Sequence, residues 1–401
     1  MLLVGDFIPQ RLSVRLPDEF SCQTVLANLE GPICADGLPV SGKVGVCLHT
    51  TPSDDVFNSI RTFAFSLANN HLMDFRDEGL HQTRQLLETS KIAYAGAGEN
   101  DDEARRPMML EENGIRIAVI CCSERQFGMA THDSAGVAAM GVWLYDAIRT
   151  VKARGTVDRV IVSCHAASEF CPWPSPQLRE FYHSLIDAGA DVIHGHHSHV
   201  PQGWEVYNGK PIFFGLGNFV VDTAMWAGNP NQLWSLMVEL QFSTEGDTFK
   251  VVPHGVSSDE SRVSVCPADN EASLNDYLKA VNMPLLADTE VPLESIWQEA
   301  SVRLYHRIYA QGLRAPGTVK RRLSMRDRLR KAYFSLRDLG YALCGREWST
   351  PKSAFYAKCL YNYFNCPSHQ QTISTALGVL TGTIPDRRTA ESRRLAEQVG
   401  L

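Results

Sequence analysis

The chain has 401 residues, of which 44% are hydrophobic, and a formal net charge of −7. This composition is that of an ordinary globular protein, and it excludes intrinsic disorder, collagen and coiled coil as descriptions of the whole chain. The sequence contains no run of 18 uninterrupted apolar residues, and its first residues lack the features of a secretory signal. We therefore expect neither a membrane-spanning helix nor an export signal.

Short apolar runs that are rich in β-branched and aromatic residues recur along the first half of the chain and predict strands. The runs are residues 1–6, 24–27, 63–67, 115–121, 160–162, 191–193 and 211–214. Between them, apolar residues at helical spacing predict helices over 79–89 and 177–188, and the second ends at the stop signal Ala188-Gly189. This alternation predicts an α/β body with a largely buried sheet.

Unusual polar residues stand where these predicted strands end. Functional residues of open α/β folds collect just beyond the carboxyl ends of the strands. The residues at these positions are Asp6, Asn28, Glu30, Asn69, Asn70, His71, His165, His194, His196, His197, His199 and Asn218.

Four of the 13 histidines lie within six residues, from 194 to 199. Imidazole is a strong ligand for zinc, manganese and iron, so the cluster indicates a metal site. A surface cluster and a buried polar network are the alternatives. Asp6, Glu30, Asn70 and His165 would complete a ligand set, and only their shared position at strand ends indicates that they converge.

Eight ordered blocks over residues 1–222 resemble the CapA-type poly-γ-glutamate capsule-synthesis family, within the calcineurin-like metallophosphoesterase superfamily. The blocks are Gly5-Asp6; Asn28 to Pro32; Ser66 to His71 with Asp74; Ala95 to Gly98 with Ala104 and Pro107; His165 with Glu169; Asp187 to Asp191; Gly195 to His199; and Leu216 to Phe219. The resemblance implies a four-layer αββα sandwich of two mixed β-sheets, to which this chain adds a mainly helical C-terminal extension.

The resemblance also implies one or two divalent metal ions, with Mn, Fe and Zn as candidates. Asp6 would bind the first ion, Glu30 would bridge, Asn70, His165 and His197 would hold the second ion, and His199 would return to the first. A metal-bound hydroxide would be the nucleophile. His71 would be the general acid or would stabilise the transition state, and Asp74 would orient His71.

A further set of residues is expected to support these ligands or to contact the substrate. It consists of Asn28, Asn69, Arg76, Glu169, His196 and Asn218. Arg76 stands where the family often has glycine; it could grip a carboxylate or phosphate, or it could be a surface residue that starts a helix.

The sequence departs from the family pattern at the first and fifth blocks. Ile8 stands where the superfamily usually has a histidine, so the first ion loses an imidazole. His165 is followed by Ala166-Ala167 in place of an aromatic residue and a glycine, so the pocket wall is expected to differ.

The charge is unevenly distributed. Residues 296–401 hold 18 Lys+Arg and 7 Asp+Glu, whereas residues 1–295 hold 20 and 38. Residues 253–284 are polar and are expected to be poor in strands. We therefore divide the chain there into a catalytic domain, 1–258, and a basic, mainly helical region, 259–401. The helices of that region could pack on the body, bind an anionic polymer or acidic partner, or lie on a membrane surface. No nucleic-acid-binding motif is present.

These observations predict a metal-dependent enzyme that catalyses hydrolysis or group transfer at a phosphoester or a γ-glutamyl or peptide amide. The substrate would be a small molecule or an anionic polymer or peptide. Two alternatives remain open: a non-hydrolytic accessory factor in polymer or natural-product biosynthesis, which Ile8 favours, and a binding module that holds a partner through its basic tail. Eleven cysteines without a C-x-x-C pair indicate reduced thiols and a cytoplasmic location.

Overall fold

The computed structural model describes residues 1–8, 13–15, 23–35, 37–40, 43, 47–52, 62–223, 230–258, 262–266, 271–310, 313 and 351–401. Most of the basic segment that the sequence singles out, residues 314–350, lies outside the described residues.

The described strands alternate with helices as far as the centre of the chain. In chain order the strands are β1 (Leu2–Ile8), β2 (Ser13–Arg15), β3 (Val25–Leu29), β4 (Phe63–Ser66), β5 (Ala93–Ala95), β6 (Ala97–Gly98), β7 (Met108–Glu112), β8 (Ile115–Ser123), β9 (Gly136–Val137), β10 (Arg159–His165), β11 (Val192–His196), β12 (Trp204–Tyr207), β13 (Lys210–Phe213), β14 (Asn218–Val221), β15 (Trp234–Gln241), β16 (Thr248–Ser258) and β17 (Arg262–Cys266). The helices are α1 (Arg76–Thr89), α2 (Asp101–Ala104), α3 (Trp143–Ala153), α4 (Pro176–Asp187), α5 (Glu271–Asn282), α6 (Leu293–Leu304), α7 (Pro351–Asn365), α8 (Pro367–Leu380) and α9 (Ala390–Gln398).

Two large mixed sheets organise the body. The first sheet runs β2-β17-β16-β15-β1-β3-β4-β5, and β14 also pairs with β1. The second runs β12-β13-β11-β10-β8-β7. In the first sheet β14, β1, β3, β4 and β5 are mutually parallel, and in the second β8, β10, β11 and β13 are parallel. Parallel strands need crossover connections, which α1, α3 and α4 help to provide.

The two sheets pack face to face with helices outside. Along β1, Leu3 joins the core that includes Val119 and Ile161 of the second sheet, whereas Leu2 faces the opposite core, with Leu80 and Leu87 of α1. Leu144 and Leu185 bring α3 and α4 onto the same core as the second sheet. The protein is therefore the expected four-layer αββα sandwich of two mixed sheets.

Close backbone approach places β14 against β1. A Cβ added at Gly5 would lie 1.9 Å from the carbonyl oxygen of Gly217, so a side chain at Gly5 would force the strands apart. Asp6 is aligned with Asn218 directly beyond this contact. The glycine of the first sequence block therefore lets two site strands meet.

The expectation that residues 253–284 are poor in strands was wrong for their first part. β16 extends to Ser258, and β17 pairs with it antiparallel to extend the first sheet. Valines such as Val251 and Val265 are only partly buried, so these strands lack the continuous apolar run that marks a central parallel strand.

The C-terminal helices that the structure describes pack together and onto the body. Trp297 of α6, Ala376 of α8 and Leu395 of α9 belong to the same core cluster as the second sheet. Arg303, Arg388 and Arg393 surround the carboxylate of Glu299, which is buried, at 2.7, 3.6 and 3.9 Å. Among the described helices we find no candidate for a membrane-spanning segment.

Candidate metal centre

The carboxyl ends of the parallel strands of both sheets bring the predicted polar residues together. Strand register aligns Asp6 with Asn28 and with Asn218 in the first sheet, and His165 with His196 in the second. All five side chains are buried, with at most 1% of their surface exposed. The polar residues of separate sequence blocks therefore come together because the strands that carry them end around one centre.

Two groups of ligand atoms lie in this centre and share Glu30. One atom from each of Glu30, His165 and His197 lies within 4.8 Å of the others, and the same holds for Asp6, Glu30 and His199. Glu30 Oε1 is 3.8 Å from His165 Nε2 and 3.6 Å from His199 Nε2. This grouping has Glu30 in the position expected of a bridging carboxylate.

Three buried carboxylate oxygens in the centre have no hydrogen-bond partner in the described part of the chain: Asp6 Oδ2, Glu30 Oε1 and Glu30 Oε2. Buried polar atoms are nearly always satisfied, so unpartnered carboxylate oxygens that face imidazoles require an explanation. Divalent ions such as Mn²⁺, Fe²⁺ and Zn²⁺ bind carboxylate oxygen and imidazole nitrogen together. The donor set therefore fits a divalent metal.

The electrostatics of the centre also suit a cation. Burial raises the pKa of Glu30 well above its ordinary value, and the nearby charges of Asp6 and Glu169 raise it further. Burial, with the charge of His197, lowers the pKa of His165 well below its ordinary value. A cation would supply the opposite charge that lets Glu30 ionise among these carboxylates, and the neutral imidazole of His165 has a nitrogen lone pair that can bind it.

Asp6 is held by neighbours from both sheets. Asn28 Nδ2 donates to Asp6 Oδ1 at 2.9 Å and lies 3.2 Å from His165 Nδ1. His196 Nδ1 lies 3.2 Å from Asp6 Oδ1. Burial raises the pKa of Asp6, but His196 and His199 outweigh it and hold that pKa below its ordinary value. Asn28 therefore holds the Asp6 carboxylate by a hydrogen bond, and His196 lies beside the same oxygen.

The two adjacent asparagines do different things. Asn70 Oδ1 lies 3.1 Å from His165 Nε2, which puts its amide oxygen beside the group formed by Glu30, His165 and His197. Asn69 instead fixes the loop: its Nδ2 donates to Leu29 O at 2.7 Å, and its Oδ1 accepts from Leu72 N at 2.9 Å.

His71 lies at the edge of the centre, with Nε2 3.9 Å from Glu30 Oε1. Its Nδ1 is 2.6 Å from Asp74 Oδ2, and Lys43 Nζ is 2.6 Å from Asp74 Oδ1 and 2.8 Å from His71 Nδ1. Burial and the adjacent Lys43 lower the pKa of His71 to about 4. The imidazole is therefore neutral at neutral pH, with its Nδ1 side fixed by Asp74.

The loop that carries His197 and His199 has an unusual backbone. Both residues have positive φ angles, 84° and 55°. Non-glycine residues in this region cost about 1–3 kcal/mol each and cluster at functional sites. Asn218 supports the loop, because its Oδ1 accepts from His199 Nδ1 at 3.0 Å and its Nδ2 lies 3.3 Å from His199 O.

Three sequence features lie around the centre. Ile8 packs in the apolar cluster beneath α1, so the described centre has no imidazole from that position. Glu169 is partly buried; burial raises its pKa, but His197, His369 and His199 bring that pKa below its ordinary value. Ala166-Ala167 line a cavity of about 280 Å³ that also contacts α4 and α8.

Arg76 stands apart from the centre. It is exposed and is the first residue of α1. Its backbone, with φ 59° and ψ −158°, lies in a region that glycine adopts easily and other residues rarely do. The glycine that the family often has at this position therefore matches the local backbone.

Sequence reasoning missed Lys43, Glu124 and Gln126. Glu124 Oε1 lies 3.2 Å from His197 Nε2, and Gln126 Nε2 lies 3.1 Å from the same nitrogen. Glu124 directly follows β8, so the strand-end rule that identified His165 applies to it as well. Lys43 follows no predicted strand, and nothing in its sequence surroundings marks it.

The fold is a four-layer sandwich whose facing strand ends gather carboxylate, amide and imidazole side chains. The chain belongs to the bacterial capsule synthesis protein family PGA_cap, whose family model matches residues 20–223. The family match thus covers strands β3 to β14, whereas β1 and β2 precede it and β15 to β17 and the C-terminal helices follow it.

Among curated proteins, the chain is 31% identical over 206 residues to a capsule biosynthesis protein CapA of Bacillus anthracis, which covers 49% of this chain and 50% of that protein. It is 34% identical over 217 residues to a probable polyglutamine synthesis accessory protein of Mycobacterium tuberculosis, covering 49% and 55%. The chain therefore spans about half the length of the curated relatives it matches.

Among solved structures, the chain is similar to a phosphatase from Mycoplasma pneumoniae, with 11% identity and a TM-score of 0.39, covering 63% of this chain and 92% of that one. It is also similar to the calcineurin-like phosphoesterase YfkN from Bacillus subtilis, with 12% identity and a TM-score of 0.36, covering 63% and 89%.

Proposed function

We propose that the protein is a metal-dependent enzyme that catalyses hydrolysis or group transfer at a phosphoester or at a γ-glutamyl or peptide amide. One observation carries this proposal: Glu30, buried and with neither oxygen hydrogen-bonded in the described structure, belongs to both groups of ligand atoms. If Glu30 bridges cations, its two buried oxygens have the partners that the described side chains do not provide.

In this proposal Asp6, Glu30 and His199 hold one ion, and Glu30, Asn70, His165 and His197 hold the other. A bound divalent metal supplies Lewis acidity and lowers the pKa of coordinated water. Asn28 and His196 keep the carboxylate of Asp6 in place, and Asn218 keeps the ring of His199 in place.

His71 presents Nε2 to the reacting groups in this proposal, and the contact between Nδ1 and Asp74 fixes the ring orientation. Lys43 forms an ion pair with Asp74, so the negative charge of Asp74 is balanced and does not repel an anionic substrate. With its pKa at about 4 in the free protein, His71 can protonate a leaving group only after the anionic substrate raises that pKa. Donating to the transition state from Nε2 has the same requirement, because the single proton of the neutral ring lies on Nδ1, toward Asp74.

The substrate class follows from the relatives and from the chemistry. The curated relatives are named for capsule biosynthesis and polyglutamine synthesis, which favours poly-γ-glutamate-like or peptide-derived substrates here. Phosphoester and amide cleavage both gather negative charge on oxygen, so one centre serves either reaction. Cys121, Cys122, Cys164 and Cys171 are buried thiols without a disulfide, which supports a reducing, cytoplasmic setting.

The test is metal content followed by activity. Purified protein is analysed for Mn, Fe and Zn, and the metal-free protein is reloaded and assayed on a phosphoester and on a γ-glutamyl amide. We expect bound metal and turnover of one substrate class, and loss of both in His165→Ala and His197→Ala. His183→Ala is the matched control, because His183 is stacked on Tyr207 and contacts Glu205 outside the centre. Absence of metal, or unchanged metal and activity in both variants, would sink the proposal.

One observation favours a second candidate, a non-hydrolytic accessory factor. Ile8 removes an imidazole, so the group that contains Asp6 has only Asp6, Glu30 and His199 among the described side chains. A factor of this kind would bind metal and the polymer without turning it over. Tight binding of a γ-glutamyl oligomer to the metal-loaded protein, with no product by mass spectrometry, would select this candidate.

A further inference from the structure

The first turn of α8 contacts the carboxylate of Glu124, which lies beside the metal centre. Ser368 donates twice to it, from Oγ to Oε1 at 2.7 Å and from the backbone N to Oε2 at 3.2 Å. Cys366 Sγ lies 3.4 Å from Oε1. Glu124, Cys366 and Ser368 are all buried. A buried carboxylate with three donors has a fixed orientation.

The same carboxylate contacts a proposed ligand. Glu124 Oε1 accepts from Ser368 Oγ and lies 3.2 Å from His197 Nε2, so in this contact the proton is on Nε2. The lone pair is then on Nδ1, which is buried and has no hydrogen-bond partner in the described structure. Gln126, beside the same ring, can turn either end of its amide toward Nε2.

These contacts join two parts of the chain that the sequence separates. Glu124 and His197 lie inside the residues that the family model matches, 20–223, whereas Ser368 lies about 145 residues beyond them. Asn365 Nδ2 also donates to Gln126 O at 2.8 Å, so both residues that contact His197 Nε2 are held from the C-terminal region.

We propose that Glu124 is a positioning residue for metal binding and that α8, through Ser368, completes the metal centre by fixing Glu124. The inference rests on the metal centre of the proposed function. Carboxylates that accept from the outer nitrogen of a ligating histidine fix its tautomer and ring orientation, and their loss typically weakens metal binding about 10–100-fold. Part of the site is thus supplied by a region outside the family match.

The test compares Glu124→Gln and Ser368→Ala with Thr372→Val in the full chain. Thr372 lies one turn along α8 and bonds Ser168 Oγ at 2.7 Å, so Thr372→Val removes a buried bond between helix and body without touching Glu124. Metal-free proteins are titrated with Mn²⁺ by calorimetry and with Co²⁺ by absorption, and circular dichroism and Tm of the metal-free form report folding.

We expect Glu124→Gln to weaken binding of the tighter ion about 10–100-fold and to alter the Co²⁺ ligand-field bands, with folding retained. Ser368→Ala should weaken it several-fold, and Ser368→Thr, which keeps the hydroxyl, should restore affinity. Thr372→Val should lower Tm while metal affinity stays within about twofold of the wild type.

Hydrogen exchange provides a second measurement, in which each protein is compared with itself before and after Mn²⁺ is added. Mn²⁺ should increase the protection of the amides of residues 368–372 in the wild type and not in Glu124→Gln, because Glu124 couples metal binding to the docking of α8. Wild-type metal affinity in both Glu124→Gln and Ser368→Ala would overturn the inference and leave the proposed function standing. A wild type that binds no metal would overturn both.

Discussion

The two sheets supply different chemistry to the same centre. The first sheet and its loops bring carboxylates and amides, such as Asp6, Glu30 and Asn70, whereas the second brings imidazoles, His165, His197 and His199. Neither half alone offers a complete borderline-metal site. A bound metal would therefore join two layers of the sandwich. Metal binding and the packing of the two sheets should then depend on each other.

The largest expected effect is at the ligand that both groups share. Glu30→Gln keeps the size of the side chain and removes its charge, so both ions should be lost, with metal content near zero in inductively coupled plasma mass spectrometry. Asp6→Asn is the matched comparison on the same sheet and should lose one ion. Equal loss in the two variants would contradict a bridging role for Glu30.

The second prediction concerns the joint between the sheets. Metal at about 100 times its Kd should stabilise the folded protein by about 2.7 kcal/mol, which calorimetry would detect as an increase in Tm. His197→Ala should reduce this increase, because it removes a ligand from the second sheet. If metal raises the Tm of His197→Ala by the full wild-type amount, the ion does not use the second sheet.

A third prediction separates the pH response of the first sheet from that of the centre. His254 on β16 is buried against the ring of Phe219, and burial lowers its pKa to about 4. Between about pH 6.5 and 4 the unfolded chain binds a proton that the folded chain excludes. The free energy of unfolding therefore decreases as the pH is lowered through this window.

His254→Leu should remove about 2 kcal/mol of the stability loss between pH 7 and pH 5, as measured by urea unfolding of the metal-free protein. His81→Leu, at an exposed position on α1, is the control and should leave the pH dependence unchanged. An identical pH profile in His254→Leu and wild type would show that this histidine titrates normally.

The smallest predicted effect lies on the helix layer over the first sheet. Arg76→Gly should stabilise the protein by about 1 kcal/mol, because relief of the positive-φ strain exceeds the entropy cost of glycine. Arg76→Ala removes the same charge without relieving the strain and should be neutral or destabilising. Equal unfolding free energies for the two variants would rule out a backbone origin.

The sequence predicted the central strands well because buried parallel strands carry continuous apolar runs, as in residues 115–121 and 160–162. It predicted that the polar residues at the strand ends converge, because parallel register places strand ends side by side, as for Asp6 and Asn28. Strand β17 was missed because its alternating, half-buried pattern lacks such a run. The outcome for each strand depends on whether it is buried on both faces, because only then does its sequence show a continuous apolar run.

Contacts between distant segments could not be predicted in this way. Lys43 reaches Asp74 from a loop without periodic pattern, and Ser368 reaches Glu124 across 244 residues of chain. Single side chains that close such gaps leave no spacing signal, because the intervening elements set their position. Glu124 itself was within reach of the strand-end rule.

The arginines around Glu299 have a practical consequence for where the chain can be shortened. Arg388 and Arg393 come from the last residues before and within α9, and Glu299 lies on α6 with only 4% of its surface exposed. A chain ended at residue 385 would leave that carboxylate buried with Arg303 as its remaining described cation. A truncation at this end would therefore be expected to loosen α6 and, through it, α8, which packs against α6, although the removed residues lie far along the chain from every proposed ligand.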